Sequence, residues 1–355
     1  MRARTPLGIA LVGTGLAARM HAQGLAMVPA ARLLGAVGTS LQRSQALATQ
    51  FDLPRTYADL DAVLADPEVE AVHLCTPPHT HLEMTTRIAA AGRHLLIDKP
   101  LARTVAEGEA VVAACAQAGV RLAGLFQHRF IPQAQTLRQA IAQGRLGRIV
   151  LADCAVKWWR EPAYYAASRW RARHATEGGG ALINQAIHSI DLLQWFAGPV
   201  VSVSGHVATA YHAIETEDVG VAVLRTADGA LGVIEGSTAA WPGFPERIEL
   251  HGTLGSASLD EGRRRLEWHL KGEAPRVDGD GQAQGNAADP AAISYEAHAA
   301  AFADFVAAVR EDRAPAVDGA AALAALRIVE AIYRSSAAGG RPVSIPFPAS
   351  SGPHG

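Results

Sequence analysis

The stretch Ile9-Ala10-Leu11-Val12-Gly13-Thr14-Gly15-Leu16-Ala17-Ala18 decides the reading of the first third of this chain. Its opening run of apolar residues is of the kind that forms a buried parallel strand. The glycines follow at once, and a helical pattern runs from residue 16 to about 27. Together they make Gly-x-Gly-x-x-Ala, the dinucleotide-binding fingerprint in its alanine variant. Gly13 permits the tight strand-to-helix turn, Gly15 lets backbone approach a pyrophosphate, and the small Ala18 lets helix pack closely on strand. Free N–H groups at the helix start, with the helix dipole, favour an anion there. Arg2 and Arg4 before this apolar stretch superficially resemble a signal peptide, but strand plus glycine loop is the better reading.

Working outward, strands at 33–37, 69–75, 94–97 and 121–126 alternate with helices at 81–91 and 105–118. Such alternation predicts a parallel sheet with right-handed crossovers, and ligands in such sheets bind at the carboxyl ends of strands. Three stretches then face a ligand: Gly13 to Ala18, Cys75-Thr76-Pro77-Pro78-His79-Thr80-His81, and Asp98-Lys99-Pro100. NAD-preferring proteins usually carry an acidic residue about 20 residues past the fingerprint, on the adenosine ribose. This chain has Gly38-Thr39-Ser40, with Arg43 beyond and no acid. Ser, Thr and Arg can bind a 2′-phosphate, which favours NADP over NAD; alternatively Arg43 is a solvated helix residue.

A length of 355 residues suggests two domains. Hydrophobic residues make up 49% and charged residues 19%, a globular balance far from disorder. The formal net charge of -2 gives no electrostatic reason to expect nucleic acid or an anionic membrane. Arg263-Arg264-Arg265 reads as a solvated hairpin edge, and no apolar run approaches the roughly 20 residues of a membrane span. Cys75, Cys115 and Cys154 are widely spaced, which argues against a disulfide framework and a thiolate metal site and fits a reducing, cytoplasmic compartment. No metal is expected.

The second part reads differently. Segments 219–224 and 231–237 flank Asp228-Gly229 as a hairpin, 247–251 and 256–259 form another, and alternation at Val201, Val203 and Gly205 adds a strand. Residues 273–290, rich in Gly, Ala and Asp, read as a loop. A strong helical pattern over 183–195 follows Gly178-Gly179-Gly180. Asn184, His188 and Asp191, at i, i+4 and i+7, share one face of it. A polar stripe on an apolar helix needs partners: a substrate hydroxyl, or simply His188 paired with Asp191 in the core. Trp158, Trp159, Arg160, Tyr164, Tyr165, Trp170 and Arg171 cluster ahead of the glycines, suited to stacking on a sugar ring and binding an anion, or to core packing.

Several ordered motifs resemble the glucose-fructose oxidoreductase / inositol dehydrogenase / rhizopine-catabolism (Gfo/Idh/MocA) family. They are Gly13 to Ala18, Thr76-Pro77 with His81, Asp98-Lys99-Pro100 (Glu-Lys-Pro in the family), Gln127-His128-Arg129-Phe130, Gly144 to Ile149, and Gly178 to Asp191. The closing segment 302–345 matches as well, leaving only about 273–290 without a counterpart. The resemblance implies an α/β Rossmann NAD(P)-binding domain over 1–125. It implies an α+β domain over 126–355 with an open, mostly antiparallel sheet, helices at about 295–338 packing back on the first domain, and a homodimer or homotetramer through the sheet. It also implies cofactor contacts from Gly13, Thr14, Gly15, Leu16, Ala18, Thr39, Ser40, Arg43, Thr76, Pro77, His81, Asp98, Lys99, Gln127 and Arg171, and substrate contacts from Asn184, Arg129, Tyr165, Trp170 and Asp191.

Oxidising an alcohol removes a hydride from carbon and a proton from oxygen, so a nicotinamide must be joined by a base. Lys99 and His188 are the expected catalytic pair. Inositol-dehydrogenase-like members place Asp where this chain has Asn184. An amide cannot exchange a proton, so Asn184 orients substrate, and the substrate class moves from a free polyol towards a glycoside or nucleotide-linked sugar. Four alternatives remain open: an inositol or polyol dehydrogenase of the same family; a non-catalytic NAD(P)-binding regulatory protein; a metal-dependent hydrolase or lyase, with only His79-Thr80-His81 as a tight histidine pattern; and a tightly held nicotinamide recycled between two sugars.

Overall fold

The computed structural model describes residues 5–260, 262, 264–279 and 295–346. Two compact units emerge: Met1–Ile131 with Ser168–Gly179 and Ala292–Leu326, and Pro132–Ala167 with Gly180–Ala291 and Arg327–Gly355. The chain thus passes between units several times, whereas a single cut near residue 125 divides it once.

The first unit is built on a parallel sheet of β1 (Leu7–Val12), β2 (Ala31–Val37), β3 (Arg55–Thr56), β4 (Ala71–Leu74), β5 (His94–Asp98) and β6 (Leu122–Leu125), in the order β3-β2-β1-β4-β5-β6. β1, β4 and β6 are buried at every position, as strands covered on both faces must be. The order reverses between β1 and β4, which opens a crevice at their carboxyl ends. Helix Leu16–Ala26 buries Ala18, Ala22 and Leu25, and helix Glu296–Glu311 lays Phe302 and Phe305 into the core with Leu7, Ile9, Leu96 and Leu125. A Cβ on Gly24 would meet the Phe302 ring at 2.9 Å, so this glycine sets the closeness of the two helices.

The second unit carries a nine-stranded sheet: β7 (Ile149–Lys157), β8 (Val200–Ala208), β9 (Val219–Thr226), β10 (Leu231–Ser237), β11 (Arg247–Gly252), β12 (Gly255–Asp260), β13 (Arg265–Leu270), β14 (Arg276–Asp278) and β15 (Val343–Ser344). The order is β14-β13-β12-β11-β7-β10-β9-β8-β15, antiparallel except where β10 runs parallel to β7. The hairpin at Asp228-Gly229 forms as expected, with Gly229 at φ +85°. On β9 burial alternates: Ala222 and Leu224 face the core, while Val221 and Val223 are exposed. Leu151 and Leu231, paired across β7 and β10, are exposed as well, giving the outward face an apolar stripe.

Two sequence expectations change. The stretch taken as a loop at 273–290 holds β14, secured by Trp268 Nε1 donating to Asp278 at 2.8 Å; residues 280–290 lie outside the described residues. The helix predicted over 183–195 begins as a π turn, Leu182–Ala186, and becomes α-helical at Ile187–Ala197. In the basic run, Arg265 starts β13 and pairs with Glu267, while Arg263 lies outside the described residues.

Candidate active site

In the first unit the expected ligand stretches do gather at the carboxyl ends of β1, β4 and β5. Gly13 has φ +123° and donates to Val37 O at 2.8 Å; a Cβ there would meet Cys75 O at 2.4 Å. Both space and conformation therefore require glycine at this turn. Gly15 is the opposite case. Its φ is -78° and a Cβ would meet nothing within 4 Å, so the protein's own packing does not need a glycine there. A ligand pressed against this backbone would need one. Gly15 also begins helix Leu16–Ala26, whose N-terminus no side chain caps, so the turn fits a dinucleotide's pyrophosphate. Leu16 is exposed and Ala18 is fully buried.

At the end of β2, Thr39, Ser40 and Arg43 are exposed. Ser40 caps the next helix by accepting from Arg43 N at 3.4 Å, and Gly38 leaves room for Thr14, whose hydroxyl a Cβ would meet at 2.6 Å. After β4, Thr76 Oγ1 accepts from Thr80 at 2.8 Å beside Pro77. His81 is buried, with Nε2 2.9 Å from Thr76 O and Nδ1 3.2 Å from Leu101 O. Burial holds its pKa below the usual histidine range against the pull of those carbonyls. The ring thus clips the loop after β4 to the loop after β5, which is a positioning task. Asp98 ends β5 and accepts from Lys99 N at 2.8 Å. Burial pushes its carboxyl up to about 6, opposed by the Lys99 ammonium and that N–H. The Lys99–Pro100 peptide is cis.

Gln127 and Arg129 are both buried in the 3-10 turn Gln127–Phe130 after β6. Trp170 and Arg171 lie in the segment 168–179, with the Arg171 guanidinium 5.0 Å from the Trp170 ring centroid. His79 N donates to Thr176 O at 3.2 Å, which ties this segment to the loop after β4.

The second unit presents the other expected residues. Asn184 is half-buried on the π turn, and His188 and Asp191 are buried on the α-helix that follows. Single π turns inside helices recur at functional sites because they re-aim side chains. This turn is held by a residue the sequence reading missed. Glu217 is buried and accepts from Gly180 N at 2.8 Å, Leu182 N at 3.0 Å and Tyr333 OH at 2.8 Å. Burial raises its carboxyl above the usual range despite those donors. A Cβ on Gly180 would lie 1.9 Å from Glu217 O, so this glycine of the run is obligatory.

Next to Glu217, Asp218 accepts from the N–H groups of Ala210, Tyr211 and His212 at 2.7, 2.9 and 2.7 Å. Burial acts to raise its carboxyl, but the N–H donors and His212 outweigh that and hold it below the usual range. His212 then packs edge-on against Tyr165, 4.9 Å between centroids. Tyr165 is half-buried, its hydroxyl 2.7 Å from Thr238 Oγ1. Gln185 Nε2 donates to Tyr164 OH at 3.2 Å, joining the aromatic segment to the π turn. Arg160 lies over Trp158 at 4.5 Å and Tyr164 at 5.5 Å, and the Trp159 ring packs against Tyr211 and Trp241.

Residues 7–126 match the oxidoreductase family with an NAD-binding Rossmann fold, and residues 134–258 match the GFO/IDH/MocA C-terminal domain. The crystal structure of the WlbA dehydrogenase from Bordetella pertussis, in complex with NADH and UDP-GlcNAcA, is 31% identical, with a TM-score of 0.86 over 98% of this chain and 100% of that one. The chain belongs to the GFO/IDH/MocA family. Other similar members are inositol 2-dehydrogenase from Rhizobium meliloti, 28% identical over 92% of this chain and 96% of its own, and 1,5-anhydro-D-fructose reductase from Ensifer adhaerens, 28% identical over 92% and 97%. As a GFO/IDH/MocA member it is a nicotinamide-dependent oxidoreductase acting on CH–OH groups. Among the described residues no helix is long and apolar enough to cross a membrane.

Proposed function

We propose that this protein transfers a hydride between a nicotinamide and a carbinol or keto carbon of a glycoside or nucleotide-linked sugar. The observation that carries the reading is the gathering of the open Gly15 cradle, the Thr76-Pro77 turn and Asp98-Lys99 at adjoining strand ends of one parallel sheet. The bound nicotinamide supplies the hydride acceptor or donor. Lys99 and His188 are the groups we assign to hold and move the hydroxyl proton. Asn184 orients the substrate through its amide, with Asp191, Arg129, Tyr165 and Trp170 as further substrate contacts. Asn184 also favours a glycoside or nucleotide-linked sugar over free inositol, and the WlbA complex with UDP-GlcNAcA supports that class.

Thr39, Ser40 and Arg43, exposed at the end of β2 with no carboxylate from 38 to 43, favour NADP. Leu16, Ala18, Gln127 and Arg171 complete the proposed cofactor contacts. The apolar stripe of Leu151, Val221, Val223 and Leu231 supports a homodimer or homotetramer through the open sheet, and the three cysteines, with no disulfide among them, support a cytoplasmic location.

A screen of sugars, inositols, glycosides and nucleotide-sugar uronates, each with NAD and NADP, tests the reading by absorbance of the reduced nicotinamide. Turnover of a glycoside or nucleotide-sugar, faster with NADP, is the expected result. Turnover of free inositol alone would overturn the substrate class, and preference for NAD would overturn the cofactor choice.

A further inference from the structure

Beneath the Gly13 turn three metal-ligand side chains from two elements meet. His21, on helix Leu16–Ala26, places Nδ1 2.9 Å from His73 Nε2 and 3.3 Å from Cys75 Sγ. His73 lies on β4 and Cys75 just beyond its end. The three donor atoms lie within 4.8 Å of one another. Tetrahedral zinc with bonds of about 2.0–2.3 Å separates its ligand atoms by roughly 3.3–3.6 Å. The His21–His73 and His21–Cys75 contacts therefore need to lengthen by only about 0.3–0.4 Å to admit the ion.

Orientation points the same way. His73 Nδ1 is 3.0 Å from Leu96 O, which accepts its proton and leaves the Nε2 lone pair facing the cluster. That is the outer bond metal-ligating histidines usually make. His21 and His73 are almost wholly buried. His298, on helix Glu296–Glu311, adds an imidazole ring 5.3 Å from that of His21, and Phe302 closes the apolar wall. Cys75 is half-buried.

We propose that His21 Nδ1, His73 Nε2 and Cys75 Sγ bind one zinc ion, a structural clamp between the first helix and β4. Imidazole and thiolate are the donors that suit zinc; on binding, the Cys75 proton is released to solvent and the proton that His21 Nδ1 donates to His73 Nε2 moves to His21 Nε2, so that both facing nitrogens offer lone pairs. This proposal is independent of the substrate reading, and its test does not use turnover.

The full chain is stripped with a chelator and titrated with Co(II), then with Zn(II). One Co(II) per chain is expected, with thiolate-to-cobalt charge-transfer absorption in the near ultraviolet and tetrahedral d–d bands, both erased by one equivalent of Zn(II). Cys75→Ser removes the charge-transfer absorption, and His73→Gln weakens Zn(II) binding by roughly a hundredfold or more. Should either variant fold poorly, alkylation of Cys75 in the wild-type chain gives the same test: bound Zn(II) should block it at least tenfold. Absence of saturable Co(II) binding, persistence of the charge-transfer band in Cys75→Ser, or unchanged Cys75 alkylation with Zn(II) would overturn the proposal.

Discussion

The two units position their candidate residues by opposite means. The parallel-sheet unit uses backbone at strand ends: a turn that must be glycine, a helix start without a side-chain cap, and Asp98-Lys99 directly after β5. The antiparallel unit uses two buried carboxylates just before β9 to shape other segments. Glu217 grips the start of the π turn 35 to 37 residues away in sequence, and Asp218 gathers the loop at 210–212. Local sequence thus makes the first part, and long-range hydrogen bonding makes the second.

The largest expected effect belongs to the proposed catalytic pair. Lys99→Met and His188→Ala should each lower turnover by about a hundred- to ten-thousand-fold while nicotinamide binding persists, measured by steady-state kinetics and cofactor fluorescence. Wild-type turnover in both would remove the catalytic assignment.

Stability changes probe the comparison next. Glu217→Ala strips three donors of their acceptor, at about 1–3 kcal/mol for each buried group left unmade. Unfolding in urea should show a loss of roughly 3 kcal/mol or more; a loss under about 1 kcal/mol would deny Glu217 its role. The glycine turn is expected to split the two properties. Gly13→Ala, strained and clashing, should cost about 1–3 kcal/mol. Gly15→Ala should stay within about 0.5 kcal/mol of wild type yet bind the dinucleotide about tenfold more weakly.

A smaller effect is expected with pH. Asp98, held at about 6 when folded against 3.8 as a free side chain, binds its proton more tightly in the native state. Its contribution is therefore fully present below about pH 4 and is lost as pH rises to about 6. Asp98→Asn should flatten the fall in Tm over that window; an unchanged slope would contradict the shift. Smallest is the cofactor choice: Arg43→Glu should move preference towards NAD by a few-fold in kcat/KM, and no change would make Arg43 a solvated helix residue.

What was legible in the sequence follows the same divide. Gly13, Gly15 and Lys99 could be read because strand, turn and helix lie within a few neighbouring residues, and the parallel sheet followed from alternation. The π turn could not be read, because 3.6-residue periodicity extends smoothly across 183–195 and the constraint comes from Glu217. Strand β7 was hidden because Ile149-Val150-Leu151-Ala152 does not alternate, although it sits mid-sheet between β11 and β10. Cysteine spacing argued against a thiolate site, yet folding brings Cys75 to His21, 54 residues away in sequence. Tyr165 appeared as a stacking surface, while its hydroxyl is engaged with Thr238, 73 residues on.

The central claim of hydride transfer has one direct test. The substrate found by the screen is prepared with deuterium on its reacting carbinol carbon and incubated with oxidised nicotinamide and the enzyme. The account predicts deuterium at C4 of the reduced nicotinamide, recovered stoichiometrically and on one face. Deuterium lost to water, or retained on product with no reduced nicotinamide formed, would contradict it.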